Sequence, residues 1–91
     1  MKTVRLRITG RVQAVGYRAW AVALGRRLAL RGWVRNRADG SVELLATGAE
    51  DAVAAMIAAS REGPEAARVD AVHATDEEDD GSSDFTFRPT D

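Results

Sequence analysis

The pair Asp39-Gly40, near the middle of the chain, is the strongest constraint on how this sequence can fold. An Asp-Gly pair between two strand-like runs predicts a tight β-hairpin, and here the runs are 33–38 and 41–47. A helix pattern and a further strand pattern lie on each side of this hairpin. The sequence therefore predicts two strand–helix–strand units joined at the centre of the chain.

Apolar periodicity gives the bounds of the other elements. Val4, Leu6 and Ile8 alternate with polar residues and predict a half-buried strand over 4–9. The remaining predictions are helices at 18–30 and 49–60 and strands at 67–74 and 85–88.

Three connections carry more specific expectations. Gly32 is the expected left-handed residue after the first helix. Thr47 and Glu50 have capping-box spacing ahead of the second helix. The acidic segment 76–84 lacks the ligand spacing of an EF-hand loop, so we expect a solvated, mobile loop and no Ca²⁺ site.

This order of elements predicts an α+β fold of the ferredoxin-like split βαββαβ type. We expect a four- to five-stranded antiparallel sheet with both helices on one face, because crossover connections are right-handed. A length of 91 residues fits one domain, so residues 1–91 are expected to form a single unit.

Composition excludes several kinds of site. The chain has no Cys, which excludes disulfides, zinc thiolates and cysteine nucleophiles, and its one His, His73, lies in a predicted strand. No metal site is expected. No apolar run approaches the length of a membrane span, and the N-terminus has no apolar leader segment, so we expect a cytoplasmic protein without a membrane partner.

Charge is distributed unevenly along the chain. Residues 1–38 carry ten Lys or Arg and no acid, whereas residues 39–91 carry three Arg and fourteen acids. Two interpretations remain open. The first half builds an electropositive site for a small anion, or the two halves neutralise each other once they pack together.

Residues 10–18, with the sequence Gly-Arg-Val-Gln-Ala-Val-Gly-Tyr-Arg, connect the first predicted strand to the first predicted helix. Backbone N–H groups converge in such a loop, and the helix N-terminus adds partial positive charge. Arg18 stands at that helix start, where a cation is unfavourable unless an anion binds beside it. The segment therefore predicts a phosphate site.

Residues 10–18 resemble a signature of the acylphosphatase family. Residues 32–36, Gly-Trp-Val-Arg-Asn, together with residues 39–43, Asp-Gly-Ser-Val-Glu, resemble its second signature. Residues 63–64 and 67–69 resemble the family's entry into its fourth strand. The resemblance implies hydrolysis of a small-molecule acyl phosphate to a carboxylate and inorganic phosphate. It implies no metal and no cofactor.

The resemblance also implies roles for particular residues. Arg18 matches the family's phosphate-binding Arg, and Asn36 matches its catalytic Asn, which orients the attacking water. The expected phosphate-binding set is Gln13, Ala14, Val15, Gly16, Tyr17 and Arg18. Inorganic phosphate and sulfate are expected to compete for it, and the protein is expected to be a monomer with no nucleic-acid partner.

One residue departs from the family pattern. Members commonly have Gly where this chain has Ala14. If that position requires a positive φ, Ala adds strain of about 1 kcal/mol. If it does not, Ala stiffens the loop and reduces the entropy of the unfolded chain.

Two functions of other classes remain as alternatives. Ferredoxin-like sheets also bind RNA through exposed aromatic residues, although the aromatic residues here form no such pattern. Salt-dependent retention on single-stranded RNA would distinguish this class. The second alternative is a small-molecule regulatory domain or a detached module of a larger enzyme, and a sensor would bind an acyl phosphate without releasing phosphate.

Overall fold

The computed structural model describes residues 1–91, and its elements follow the predicted order. The strands are β1 (Lys2–Arg11), β2 (Arg31–Asn36), β3 (Val42–Gly48), β4 (Arg68–Asp76) and β5 (Phe85–Phe87), and the helices are α1 (Tyr17–Arg27) and α2 (Glu50–Ser60). The strands form one sheet in the order β4-β1-β3-β2-β5. The predicted ferredoxin-like α+β architecture is therefore confirmed.

The fifth strand gives the sheet a mixed character that differs from the expected antiparallel one. The pairs β1–β3, β1–β4 and β2–β3 are antiparallel, but β5 runs parallel to β2, with Phe87 opposite Val34. β4 runs antiparallel to β2, so the last residue of β4 and the first residue of β2 lie at the same end of the strands. The segment after β4 therefore enters the far side of the sheet in the same direction as β2.

The core lies between the sheet and the two helices. The predicted inward residues of β1, namely Val4, Leu6 and Ile8, are all buried. Helix α1 packs on β2 and β5, and α2 packs on β1, β3 and β4. The loop between β1 and α1 and the last residue of β2 consequently meet at one end of the molecule.

Helix α1 ends earlier than predicted. Ala29 adopts the left-handed conformation with φ 57°, and its N–H donates to the carbonyl of Arg26 at 3.1 Å. The N–H of Leu30 donates to the carbonyl of Gly25 at 2.9 Å, which completes a Schellman motif. The helix therefore ends with an alanine at a position where glycine is usual.

The expectation for Gly32 was wrong. Gly32 lies within β2, with φ 143°, and a Cβ atom there would lie 1.9 Å from the carbonyl oxygen of Leu45. The glycine is required by close approach of β3, not by the end of the helix.

We expect Ala29→Gly to stabilise the protein by about 0.5–1 kcal/mol. The left-handed conformation costs an L-residue about 1–2 kcal/mol, and glycine's greater freedom in the unfolded chain returns part of that gain. The urea midpoint should rise, and thermal unfolding should give a Tm higher by about 2–8 °C. Ala55→Gly, in the exposed middle of α2, is the matched control and should destabilise by about 1 kcal/mol. Equal losses in both variants would contradict the prediction.

The predicted capping box before α2 was also wrong. Thr47 belongs to β3, and its hydroxyl is hydrogen-bonded to the hydroxyl of Thr3 at 2.8 Å. The N-cap residue is Ala49, which provides no side-chain bond. Because β3 continues to Gly48, sheet pairing holds Thr47 away from the first turn of the helix.

The acidic segment 76–84 is exposed except at the half-buried Ser82, as expected of a solvated loop, but two of its carboxylates contact residues of β2. Asp79 pairs with Arg31 at 2.6 Å, and Asp80 accepts a hydrogen bond from the indole N–H of Trp33 at 3.0 Å. The hydrogen bond from Arg31 holds the pKa of Asp79 below its usual value. Basic residues of the first half thus find partners in this segment.

Neither α1 nor α2 is long and apolar enough to cross a membrane.

Candidate functional site

A cavity of about 180 Å³ lies at the N-terminus of α1, beside the ends of β2 and β5. Its lining residues are Val12, Ala14, Gly16, Tyr17, Arg18, Ala19, Asn36 and Phe87. Arg18 and Asn36, the two residues with implied catalytic roles, therefore line the same cavity. Part of the predicted phosphate loop lines this cavity too.

The loop between β1 and α1 presents a series of free backbone donors. None of the N–H groups of residues 13–16 donates to a backbone carbonyl. The first hydrogen bond of α1 runs from the N–H of Trp20 to the carbonyl of Gly16 at 3.0 Å, so the N–H groups before Trp20 have no acceptor within the helix. Donors arranged in this way can bind an anion.

Two residues of the loop have a positive φ. Ala14 has φ 61° and Gly16 has φ 79°. The position of Ala14 thus requires the left-handed region, and alanine there carries strain of about 1 kcal/mol. A Cβ atom at Gly16 would meet nothing within 4 Å, so glycine is favoured there by conformation and not by crowding.

The side chain of Gln13 connects this loop to the β2–β3 hairpin. Its amide nitrogen donates to the carbonyls of Arg37 at 2.8 Å and Ser41 at 2.9 Å. Neither Gln13 nor Val15 lines the cavity, and Val15 packs against the core. Only the backbone of these two residues is available for the predicted phosphate role.

Tyr17 fixes the start of α1. Its side chain is buried, and its hydroxyl donates to the carbonyl of Ser60, at the end of α2, at 2.8 Å. Burial raises the pKa of Tyr17 to about 12, so the phenol is neutral at physiological pH. Tyr17 therefore anchors the start of α1 to the end of α2.

Arg18 differs from most cations of the first half in having no carboxylate partner. Seven of the ten Lys and Arg residues in 1–38 form salt bridges with acids from 39–91, and Arg18 is not among them. Neutralisation between the halves therefore accounts for most of the uneven charge. Arg18 remains as an uncompensated, half-buried cation at the cavity.

The largest group of paired charges lies on the sheet face away from the helices. There the nearly buried carboxylate of Glu43 accepts hydrogen bonds from Arg5, Arg35 and Arg37. Burial alone would raise the pKa of Glu43, but the hydrogen bonds from Arg35 and Arg37 outweigh it and hold the pKa below its usual value. These arginines are consequently not free to bind a substrate anion.

Asn36 is the last residue of β2 and lies opposite Val42. Its backbone carbonyl accepts a hydrogen bond from the N–H of Asp91 at 3.1 Å. Asn36 lines the cavity, and its side-chain amide forms none of the hydrogen bonds within the chain. It can therefore both donate to and accept from a bound water.

Three lining residues, Val12, Ala19 and Phe87, lie outside the predicted site, and Phe87 is the aromatic one. The guanidinium of Arg18 lies 5.7 Å from the centroid of its ring, and Phe87 is 60 % exposed. Its aromatic type in the last strand was the available signal, but only the parallel pairing of β5 with β2 brings it to Arg18.

The lining contains donors and apolar groups but no Asp, Glu or His. Nowhere in the chain do three or more His, Cys, Asp or Glu side chains form a group that could hold a metal ion. His73 is exposed on β4, outside the cavity. The arrangement can bind an anion and hold one water, and it offers no side chain for general acid catalysis.

Comparison with known proteins gives consistent matches. The family model described as Acylphosphatase matches residues 4–87. An acylphosphatase of Rhodospirillum rubrum is 56% identical over 75 residues, which cover 82% of each chain. One from Rhizorhabdus wittichii is 48% identical over 86 residues, covering 94% of this chain and 87% of its own. The crystal structure of acylphosphatase from Bacillus subtilis superposes with a TM-score of 0.93 at 34% identity, covering 97% of this chain and 99% of that one.

Proposed function

Because this chain belongs to the acylphosphatase family and is thus an enzyme that hydrolyses acyl phosphates, we propose how its cavity performs the reaction. The phosphoryl group binds to the backbone N–H groups of residues 13–18 and to the guanidinium of Arg18. Asn36 holds the attacking water. Gln13 and Val15 take part through their backbone alone.

The anhydride itself makes this small set of groups sufficient. Water attacks phosphorus, the bond from phosphorus to the acyl oxygen breaks, and the carboxylate leaves with the bonding electron pair. Both protons of the water stay with the phosphoryl group, which is released as dihydrogen phosphate. A carboxylate is a stable leaving group, so no protein acid needs to protonate it. The remaining requirements are stabilisation of charge on the phosphoryl oxygens and alignment of the water. Arg18 with the loop donors supplies the first, and the Asn36 amide supplies the second.

The proposal depends mainly on one observation, which is that the side chains of Arg18 and Asn36 have no carboxylate or hydrogen-bond partner within the chain. Both line one cavity with their polar groups uncommitted, next to a loop whose N–H groups are free. A cation without a carboxylate partner retains its full charge for a bound anion. A free amide retains its hydrogen-bonding capacity for water.

The domain organisation, oligomeric state and location of the enzyme are further parts of its proposed function. We also propose that residues 1–91 act as one domain and as a monomer, because the loop, Arg18 and Asn36 already meet at one cavity and the proposed chemistry needs no residue from a partner. We propose, in addition, that the enzyme acts in the cytoplasm.

Hydrolysis of benzoyl phosphate by the purified protein is the direct test. Inorganic phosphate should be released at the same rate with and without EDTA, because the proposed groups are N–H donors, an Arg and an Asn. Activity that EDTA abolishes and a divalent cation restores would contradict the mechanism. Binding without release of phosphate would favour a regulatory domain.

Inorganic phosphate and sulfate should inhibit competitively. Both are tetrahedral anions that can bind the loop donors and Arg18 in place of the phosphoryl group. The apparent KM for benzoyl phosphate should rise with either anion while kcat stays constant. Chloride at equal ionic strength is the control for general screening. A fall in kcat at saturating substrate would place the anion elsewhere.

A further inference from the structure

We propose that Phe87 is a positioning residue that holds the Arg18 guanidinium against its ring while leaving the N–H donors of that guanidinium free. This inference rests on the proposed function, because it assumes that Arg18 binds the phosphoryl group. The contact is the distance of 5.7 Å between the guanidinium carbon and the ring centroid. This separation lies within the range of a cation–π interaction.

The two aromatic residues of β5, Phe85 and Phe87, lie on the same face of the sheet but in different surroundings. Phe85 is fully buried, and a Cβ atom at Gly25 of α1 would lie 2.7 Å from its ring. Phe87, two residues further along, lies beside the first turn of α1 at Arg18. Phe85 therefore packs α1 against the sheet, and Phe87 reaches the cavity without entering the core.

A ring and a carboxylate hold a guanidinium with opposite consequences for anion binding. A carboxylate accepts the N–H groups and cancels the charge. A ring face attracts the cation without accepting the in-plane N–H groups, so the donors and charge remain for another ligand. An Arg that must bind phosphate is therefore better held by a ring.

The other stacked arginines of this chain provide the contrast. Arg35 and Arg88 lie over the ring of Trp33 at 4.9 Å and 4.7 Å. Arg35 also donates to Glu43 at 2.7 Å, and Arg88 lies 3.6 Å from Asp80. Arg18 alone among the three has a ring and no carboxylate, which fits an arginine kept available for an anion.

Replacing Phe87 tests the proposal through phosphate affinity. Phe87→Ala should raise the inhibition constant of inorganic phosphate about two- to fivefold, the range of an exposed cation–π contact. The value of kcat/KM should fall by a similar factor for benzoyl phosphate and for acetyl phosphate, since Arg18 contacts the group common to both. Phe87→Tyr, which keeps the ring, should behave as the wild type, whereas Phe87→Leu should resemble Phe87→Ala.

Two controls separate this role from general packing. Thr86→Ala, at an exposed position of the same strand, should change none of these values. In the Arg18→Ala background, Phe87→Ala should not change phosphate affinity further, as measured by NMR titration, because the ring acts only through Arg18.

Distinct outcomes would overturn the proposal. If Phe87→Leu matches the wild type, apolar volume is sufficient and the ring is not needed. If benzoyl phosphate alone loses activity and the phosphate constant is unchanged, Phe87 contacts the acyl group. If the wild type hydrolyses neither substrate, the proposed function fails, and the NMR titration with inorganic phosphate still decides whether Phe87 positions Arg18.

Discussion

Arg18→Ala is expected to lower kcat/KM for benzoyl phosphate by about 10³–10⁵-fold, the range in which an Arg stabilises phosphoryl-transfer charge. Arg18 is the cavity's one charged side chain, and no carboxylate shares its charge. Because the side chain is half-buried and outside the core cluster, the fold should persist. Steady-state kinetics together with thermal unfolding will separate loss of catalysis from loss of structure.

Arg18→Lys is the informative companion variant. Lysine retains the charge but lacks the planar fork that can bind two phosphate oxygens at once. We therefore expect little recovery of activity relative to Arg18→Ala. Arg27→Lys, at an exposed unpaired arginine at the end of α1, is the matched control and should leave kcat unchanged. Turnover near the wild-type level in Arg18→Lys would mean that charge alone suffices.

Asn36→Ala is expected to lower kcat by about 10²–10³-fold, the usual loss on removing one side chain that hydrogen-bonds in the transition state. The inhibition constant of inorganic phosphate should change little, since the loop donors and Arg18 remain. A large fall in kcat with an unchanged phosphate affinity is the result expected for a residue that orients water and does not bind the anion. Phosphate inhibition and kcat should be measured on the same preparation.

Asn36→Asp serves as a second test of the same role. The shape is nearly retained, but a carboxylate at the cavity would repel an anionic substrate and should raise KM as well as lower kcat. If Asn36 were only a strand residue, both variants would lose stability and keep kcat. An equal fall in phosphate affinity and kcat in Asn36→Ala would also refute the assigned role.

The fold was predictable because its main signals are local. Alternation in β1 and the Asp39-Gly40 turn each act over a few residues and give the correct elements. The errors arose where packing between elements decides the outcome. Thr47 bonds to Thr3 because β3 pairs with β1, and Gly32 is required by the approach of Leu45. Neither contact can be inferred from spacing along the chain.

For the candidate site too, some residues could be predicted from local sequence and others could not. The loop and Arg18 could be predicted because a strand, a glycine-containing loop and a helix start follow one another directly in the sequence. The role proposed for Asn36 required the family resemblance. Phe87 was missed because its proximity to Arg18 depends on the parallel entry of β5, which the predicted antiparallel sheet did not contain.

The two hydrogen bonds from the Gln13 amide make the site a property of the whole fold. They join the loop to carbonyls 24 and 28 residues further along the chain. A peptide containing only the loop and α1 would include the whole first signature but would lack these acceptors and Asn36. We therefore expect anion binding at the proposed loop to be coupled to global folding. Phosphate, by binding only the native state, should raise the unfolding midpoint of the entire protein as its concentration exceeds its Kd.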